Sequence, residues 1–182
     1  MKKMIMIVTF IGLCLTVISQ RQMTRTGTIQ FFSETDVEDI EAINNQVSSV
    51  LDLASGEMAY TLLMKAFSFE KALMQEHFNE KYVESDKYPK AKFKGKIIGF
   101  SPSKLTAKPT EFKVKGSLTI HGVTNEIEVT EKLWKNEKGE ILGETTFTIK
   151  LADYKIEVPS TVRENISETI EIKVKVNYEK MG

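Results

Sequence analysis

Strict alternation of apolar and polar side chains recurs five times along this 182-residue chain, and it leaves few folds open. Ala91, Phe93, Gly95 and Ile97 interleave with Lys92, Lys94 and Lys96; Phe112, Val114, Gly116, Leu118 and Ile120 interleave with Lys113, Lys115, Ser117 and Thr119. Ile127, Val129 and Leu133 follow, then Phe147, Ile149 and Leu151 against Thr146, Thr148 and Lys150. The last set is Ile170, Ile172, Val174, Val176 and Tyr178. A period of two marks antiparallel strands with one dry face and one wet face. Such strands in succession, without crossover helices, stack as a sandwich or close into a barrel.

Eight strands are expected, at about 27–33, 44–53, 57–66, 90–100, 110–120, 125–134, 141–151 and 168–179. Turn chemistry separates them: Ala54-Ser55-Gly56, Ser101-Pro102-Ser103, His121-Gly122 and Asn136-Glu137-Lys138-Gly139. One segment departs from the pattern. From Phe69 to Val83 the apolar residues are spaced as on a helix, with Ser68 as the expected N-cap and Glu70 in the first turn. Three strands, one helix and five strands give an all-β, eight-stranded antiparallel barrel with a helix inserted between strands 3 and 4.

The first residues stand apart. Lys2 and Lys3 precede an apolar run from Met4 to Ile18, and Val17-Ile18-Ser19 offers a cleavage site before Gln20. Residues 1–19 therefore read as a cleavable signal peptide, and residues 20–182 as one domain long enough for a real core. Periplasmic or secreted localisation follows from that reading. Cleavage would remove Cys14, the only cysteine, and with it any disulfide or thiolate chemistry. It would also move the net charge from 0 to −2 by removing two of the 25 basic residues. A near-neutral domain has no electrostatic reason to bind nucleic acid.

No catalytic constellation stands out. His77 lies beside Glu76 and one turn from Glu80, but no HExxH spacing accompanies it. His121 opens a tight turn with Gly122. The acidic cluster Glu34, Asp36, Glu38, Asp39 and Glu41 lacks a glycine-turned calcium loop, and no G-x-S-x-G occurs. Neither a metal nor a cofactor is expected. The inward apolar set is rich in flexible and aromatic residues: Met58, Tyr60, Leu62, Met64, Phe93, Phe112, Leu118, Trp134 and Phe147, with Met74, Phe78 and Tyr82 from the helix. Gly95 and Gly116 sit on that face, where they either relieve strand curvature or leave room for a ligand. A barrel of eight strands is of a size that fills itself or holds one small ligand.

Two stretches carry a family resemblance. Met74-Gln75-Glu76-His77-Phe78-Asn79-Glu80-Lys81-Tyr82, followed by Tyr88-Pro89 and Phe93, and the run Gly116-Ser117-Leu118-Thr119-Ile120-His121-Gly122-Val123-Thr124 resemble the YceI-like, polyisoprenoid-binding family. Asp153-Tyr154 stands where that family carries Asp-Phe-Gly, with Lys155 in place of the glycine, and Thr28 to Ser33 lacks the family's His-Ser pair. The resemblance implies a lipocalin-like barrel, exported, whose interior holds an isoprenoid or other long-chain lipid. The expected binding residues are the inward set above with Gly95, Gly116 and Tyr154, and Tyr82, His77 or Tyr154 would fix a head group. Loading implies transient contact with a membrane or a carrier protein. Two other readings remain open: a small exported enzyme using a His77/Glu80 pair, and an empty barrel that binds a partner protein.

Overall fold

The computed structural model of the protein describes residues 21–181. The expected signal peptide and its cleavage site lie outside these residues. Strands β1 (Arg21–Glu34), β2 (Asp39–Asp52), β3 (Glu57–Leu63), β5 (Lys90–Ile97), β6 (Thr110–Ile120), β7 (Val123–Lys135), β8 (Ile141–Lys150) and β9 (Thr169–Lys180) form the wall. They run in the order β1-β9-β8-β7-β6-β5-β3-β2, and the β1–β2 pairing closes the ring. All neighbours are antiparallel. The result is a closed eight-stranded barrel. A two-residue strand, β4 (Ser68–Phe69), pairs with Ala42 and Ile43 of β2.

Local chemistry sets the register at two hairpins. His121 and Gly122 both adopt positive φ, 51° and 73°, and join β6 to β7 through two residues. That is the primed turn whose twist matches its flanking strands. In the β7–β8 loop the Asn136 carboxamide oxygen accepts the backbone N–H of Lys138 and of Glu140, and Gly139 takes the left-handed backbone.

Several boundaries differ from the sequence expectation: β3 ends at Leu63 instead of residue 66 and β5 at Ile97 instead of residue 100. β1 starts at Arg21 instead of residue 27, because its first inward residues are Gln22 and Thr24, buried but polar. β2 starts at Asp39 instead of residue 44. The helix, α1, covers Ala72–His77 and continues as a wider π-turn over Phe78–Tyr82. Ser68 is not its N-cap: Lys71 holds that position without a side-chain cap, while Ser68 and Phe69 are drawn onto β2. Strand pairing and burial of Phe69 outcompete the helical start there.

The interior divides along the barrel axis. At the end where β6 starts and β7 finishes, Leu51, Met58, Ile97, Phe112, Val114, Leu133, Ile141 and Tyr178 pack into one cluster. The connection after β5 folds under it, burying Leu105 and setting the Phe100 ring 5.8 Å from Phe112. At the other end Ala42, Leu62, Met64, Phe67, Val83, Ala91, Leu118, Ile120 and Ile156 form a second cluster, and this one is hollow.

Candidate functional site

A cavity of about 340 Å³ occupies the hollow end. Its wall is drawn from nearly every strand, because each contributes its inward parity: Ile29 and Phe31 from β1, Leu62 from β3, Ala91 from β5, Leu118 and Ile120 from β6, Phe147 and Ile149 from β8, Ile170 and Ile172 from β9. Met74, His77, Phe78 and Tyr82 of the helical segment and Val162, Asn165 and Ile166 of the β8–β9 connection complete the lining. Four phenylalanines make one side aromatic. Phe78 lies 5.5 Å from Phe31, 5.6 Å from Phe67 and 5.0 Å from Phe69, centroid to centroid. Polar residues are few in the lining: Ser33, Glu38, His77, Tyr82 and Asn165. Glu38 accepts hydrogen bonds from Lys71 (2.8 Å) and Asn165 (3.3 Å), tying the β1–β2 turn to the start of the helix and to the β8–β9 connection. Those bonds hold the Glu38 carboxyl below its ordinary pKa, the Lys71 bond most of all.

A narrower chamber of about 70 Å³ continues inward, sharing Ile29, Leu62, Ala91, Leu118 and Phe147 with the main cavity. Tyr60, Phe93 and Glu131 line it. Glu131 is 2% exposed, and burial raises its pKa to about 7. Its Oε1 accepts the Tyr60 hydroxyl at 2.9 Å; Tyr60 in turn accepts from Tyr178 at 3.0 Å, and the Ser49 hydroxyl lies 2.8 Å from that of Tyr178. Burial also raises the pKa of both tyrosines, so they remain hydroxyl donors. This polar layer separates the hollow half from the packed half.

The residues expected from sequence distribute unevenly around this space. Leu62, Met64, Met74, Phe78, Tyr82, Leu118 and Phe147 line the main cavity, and Tyr60 and Phe93 line the inner chamber. Met58 and Phe112 are buried in the packed half instead. Trp134 is a correction. It follows Leu133, which is fully buried, so it takes the opposite parity of β7 and is only half-buried. Tyr154 is buried in the hollow-end cluster but lines neither space.

Gly95 and Gly116 also leave no room for a ligand. They face each other across β5 and β6, and the Phe93 ring covers them. A Cβ on Gly95 would meet Phe93 Cζ at 2.5 Å and the Lys115 carbonyl at 2.7 Å. Their missing side chains are filled by an aromatic ring and by close backbone approach.

The histidines take separate roles. His121 is a clasp: its Nε2 lies 2.8 Å from Glu84 Oε2 and its Nδ1 lies 3.1 Å from the Tyr154 carbonyl. The Tyr88 ring stands edge-on to it, 4.6 Å between centroids. The His121 bond is the main cause of a lowered Glu84 pKa. The turn motif thus ties the segment after the helix to the turn after β8. His77 is half-buried on the cavity wall, Glu80 is exposed, and among the described residues no hydrogen bond joins them.

Sequence reasoning missed Phe31, Phe67 and Phe69, and it missed Glu131. The signals were present. Phe67 and Phe69 are two apart and flank Ser68, though the turn at Met64–Ala66 puts them out of phase with β3, and Glu131 falls on the apolar parity of β7 between Val129 and Leu133.

Solved structures share this architecture. A polyisoprenoid-binding domain from Saccharophagus degradans, implicated in plant cell wall breakdown, superposes with a TM-score of 0.77 at 17% identity, over 89% of this chain and 99% of that one. Burkholderia cenocepacia BcnA gives 0.69 at 16% identity, over 84% and 96%. The Campylobacter jejuni YCEI protein gives 0.58 at 21% identity, over 77% and 85%. No curated protein sequence matches the chain. The YceI-like domain matches residues 15–178, nearly the whole length, and the chain belongs to the YceI-like family.

Proposed function

We propose that this protein is an exported carrier that holds a long apolar molecule, of isoprenoid or similar long-chain type, inside the hollow half of its barrel. The observation that carries this reading is the cavity of about 340 Å³ with a predominantly aliphatic and aromatic wall. Its volume falls within the range of small-molecule sites, roughly 300–1,000 Å³. Each methylene moved from water into such a wall contributes about 0.8 kcal/mol, so a long chain binds by transfer, without covalent chemistry. The likeness to a polyisoprenoid-binding domain supports the ligand class. Lys2, Lys3 and the apolar run to Ile18 support export.

Lipid co-purifying with the exported protein, measured by solvent extraction and mass spectrometry, tests the reading. Ala91→Phe and Leu118→Trp, which add volume at the shared wall of the two spaces, should lower lipid occupancy severalfold. Lys115→Leu, an exposed position on the outer face, should leave it unchanged. Unaltered occupancy in both filled variants, with folding intact, would overturn the carrier reading. The exported protein should begin at Gln20, read by N-terminal sequencing or as the mass of its pyroglutamate form. An enzymatic role for His77 and Glu80 has less support, since one faces the cavity and the other faces solvent.

A further inference from the structure

The carboxyl of Glu131 differs from the other cavity carboxyl, Glu38, which is paired with Lys71 and Asn165. Glu131 lies eight residues along β7 from the mouth end at Val123. At about 3.3 Å per residue and a strand tilt near 40°, that is on the order of 20 Å of depth. Among the described residues it forms no ion pair, and only the Tyr60 hydroxyl is hydrogen-bonded to it, through Oε1. The relay donates toward it, Tyr178 to Tyr60 to Glu131, so its hydroxyl protons are spent within the protein. Gly143 makes space for the carboxyl, since a Cβ there would stand 2.8 Å from Oε1. A buried polar group with unused capacity at the floor of an apolar tube calls for a partner.

Resting on the carrier reading above, we propose that Glu131 recognises the polar end of the ligand, and that the ligand is a long chain ending in an uncharged hydroxyl, bound head-first. Its free oxygen, Oε2, is the contact atom. A hydroxyl both donates and accepts, so it satisfies Glu131 whether the carboxyl is ionised or protonated, and burial leaves both forms present at neutral pH. A phosphate or carboxylate head would place a second anion beside it in a dry space, where like charges repel most strongly. A plain hydrocarbon would leave the carboxyl unpaired. The chamber of about 70 Å³ admits a head group of a few atoms and leaves the tail in the main cavity.

The test uses the delipidated exported protein and three probes of equal length: geranylgeraniol, geranylgeranyl phosphate and the saturated hydrocarbon phytane, each measured by titration calorimetry. The alcohol should bind at least tenfold more tightly than either of the others. Glu131→Gln, which keeps a donor and an acceptor, should retain that preference. Glu131→Leu should bring the alcohol to the level of the hydrocarbon without weakening the hydrocarbon. If loss of the relay partner unfolds that variant, the double variant Tyr60→Phe/Glu131→Leu removes both ends of the bond and carries the same comparison. An alcohol preference that survives Glu131→Leu in folded protein would overturn the proposal while leaving the carrier reading intact. Tighter binding of the phosphate would also overturn it, placing the head at the rim. Failure of all three probes to bind the parent protein would overturn the carrier reading itself.

Discussion

The two halves of this barrel are made from the same strands and the same alternation, yet one is solid and the other hollow. In the solid half Leu133, Val114 and Leu51 are fully buried, and the β5–β6 connection inserts Leu105 beneath them. In the hollow half Leu62, Leu118 and Phe147 border open space, and the elements at that end, the helix and the β8–β9 connection, line the cavity instead of filling it. Inward orientation is a property of each strand. Whether inward side chains meet depends on what closes the end. Between the halves, Glu131, Tyr60, Tyr178 and Ser49 form a hydrogen-bonded floor.

The sharpest way to break this comparison is to truncate one leucine in each half. Leu133→Ala leaves a void in a close-packed region and should cost about 4 kcal/mol, within the range for buried leucines. Leu118→Ala enlarges a space that is already open, so the cavity penalty falls away and about 2 kcal/mol of lost transfer remains. Urea unfolding of the two variants checks this; equal costs would mean that the hollow half is packed in solution.

The floor gives the next largest effect. Burial raises the Glu131 pKa from 4.5 to about 7. Between those values the native protein keeps a proton that the unfolded chain releases, so this group's contribution to stability falls as pH rises through the window and levels off above it. The full change is about 3 kcal/mol by linkage. Carboxyls with lowered pKa, such as Glu38 and Glu84, act in the opposite sense at lower pH. The difference between parent and Glu131→Gln, measured by urea unfolding at pH 5 and pH 8, isolates the Glu131 part. Its absence would place the carboxyl in water.

The clasp at the hollow end comes third. His121→Ala removes the contacts to Glu84 and to the Tyr154 carbonyl and should cost about 1–3 kcal/mol. Lipid occupancy should persist, because His121 lines neither space. Last is the rim: Lys71→Met breaks an exposed ion pair with Glu38 and should change stability by less than about 1 kcal/mol. A larger loss would show that the rim contacts, and not the floor, hold the hollow half together.

The wall was readable because alternation is local: β6 matched its expected span of 110–120, and the hairpin turns at His121-Gly122 and Asn136-Gly139 carry their own backbone chemistry. The cavity was only partly readable. Period-two counting assigned Leu62, Leu118 and Phe147 to the inside, but it assigned Met58 and Phe112 equally well, and their strands bring those two to the packed end. Trp134 has an apolar side chain but stands on the opposite parity of β7 from Leu133, so position outweighs residue type there. Ser68 was misplaced because pairing with β2 is a long-range contact that no helical spacing reveals.

Sequence alone determined the class of fold, the number of barrel strands and which side chains face inward, since strand pleating and turn conformation are set within a few residues. Tertiary structure decided the rest. It assigned the space opposite Gly95 and Gly116 to the Phe93 ring, gathered four phenylalanines from three segments onto one wall, and set a lone carboxyl at the floor of an apolar tube. Those outcomes depend on which residues meet across the barrel. That is fixed by strand stagger and by the segments closing each end, neither of which a period of two encodes.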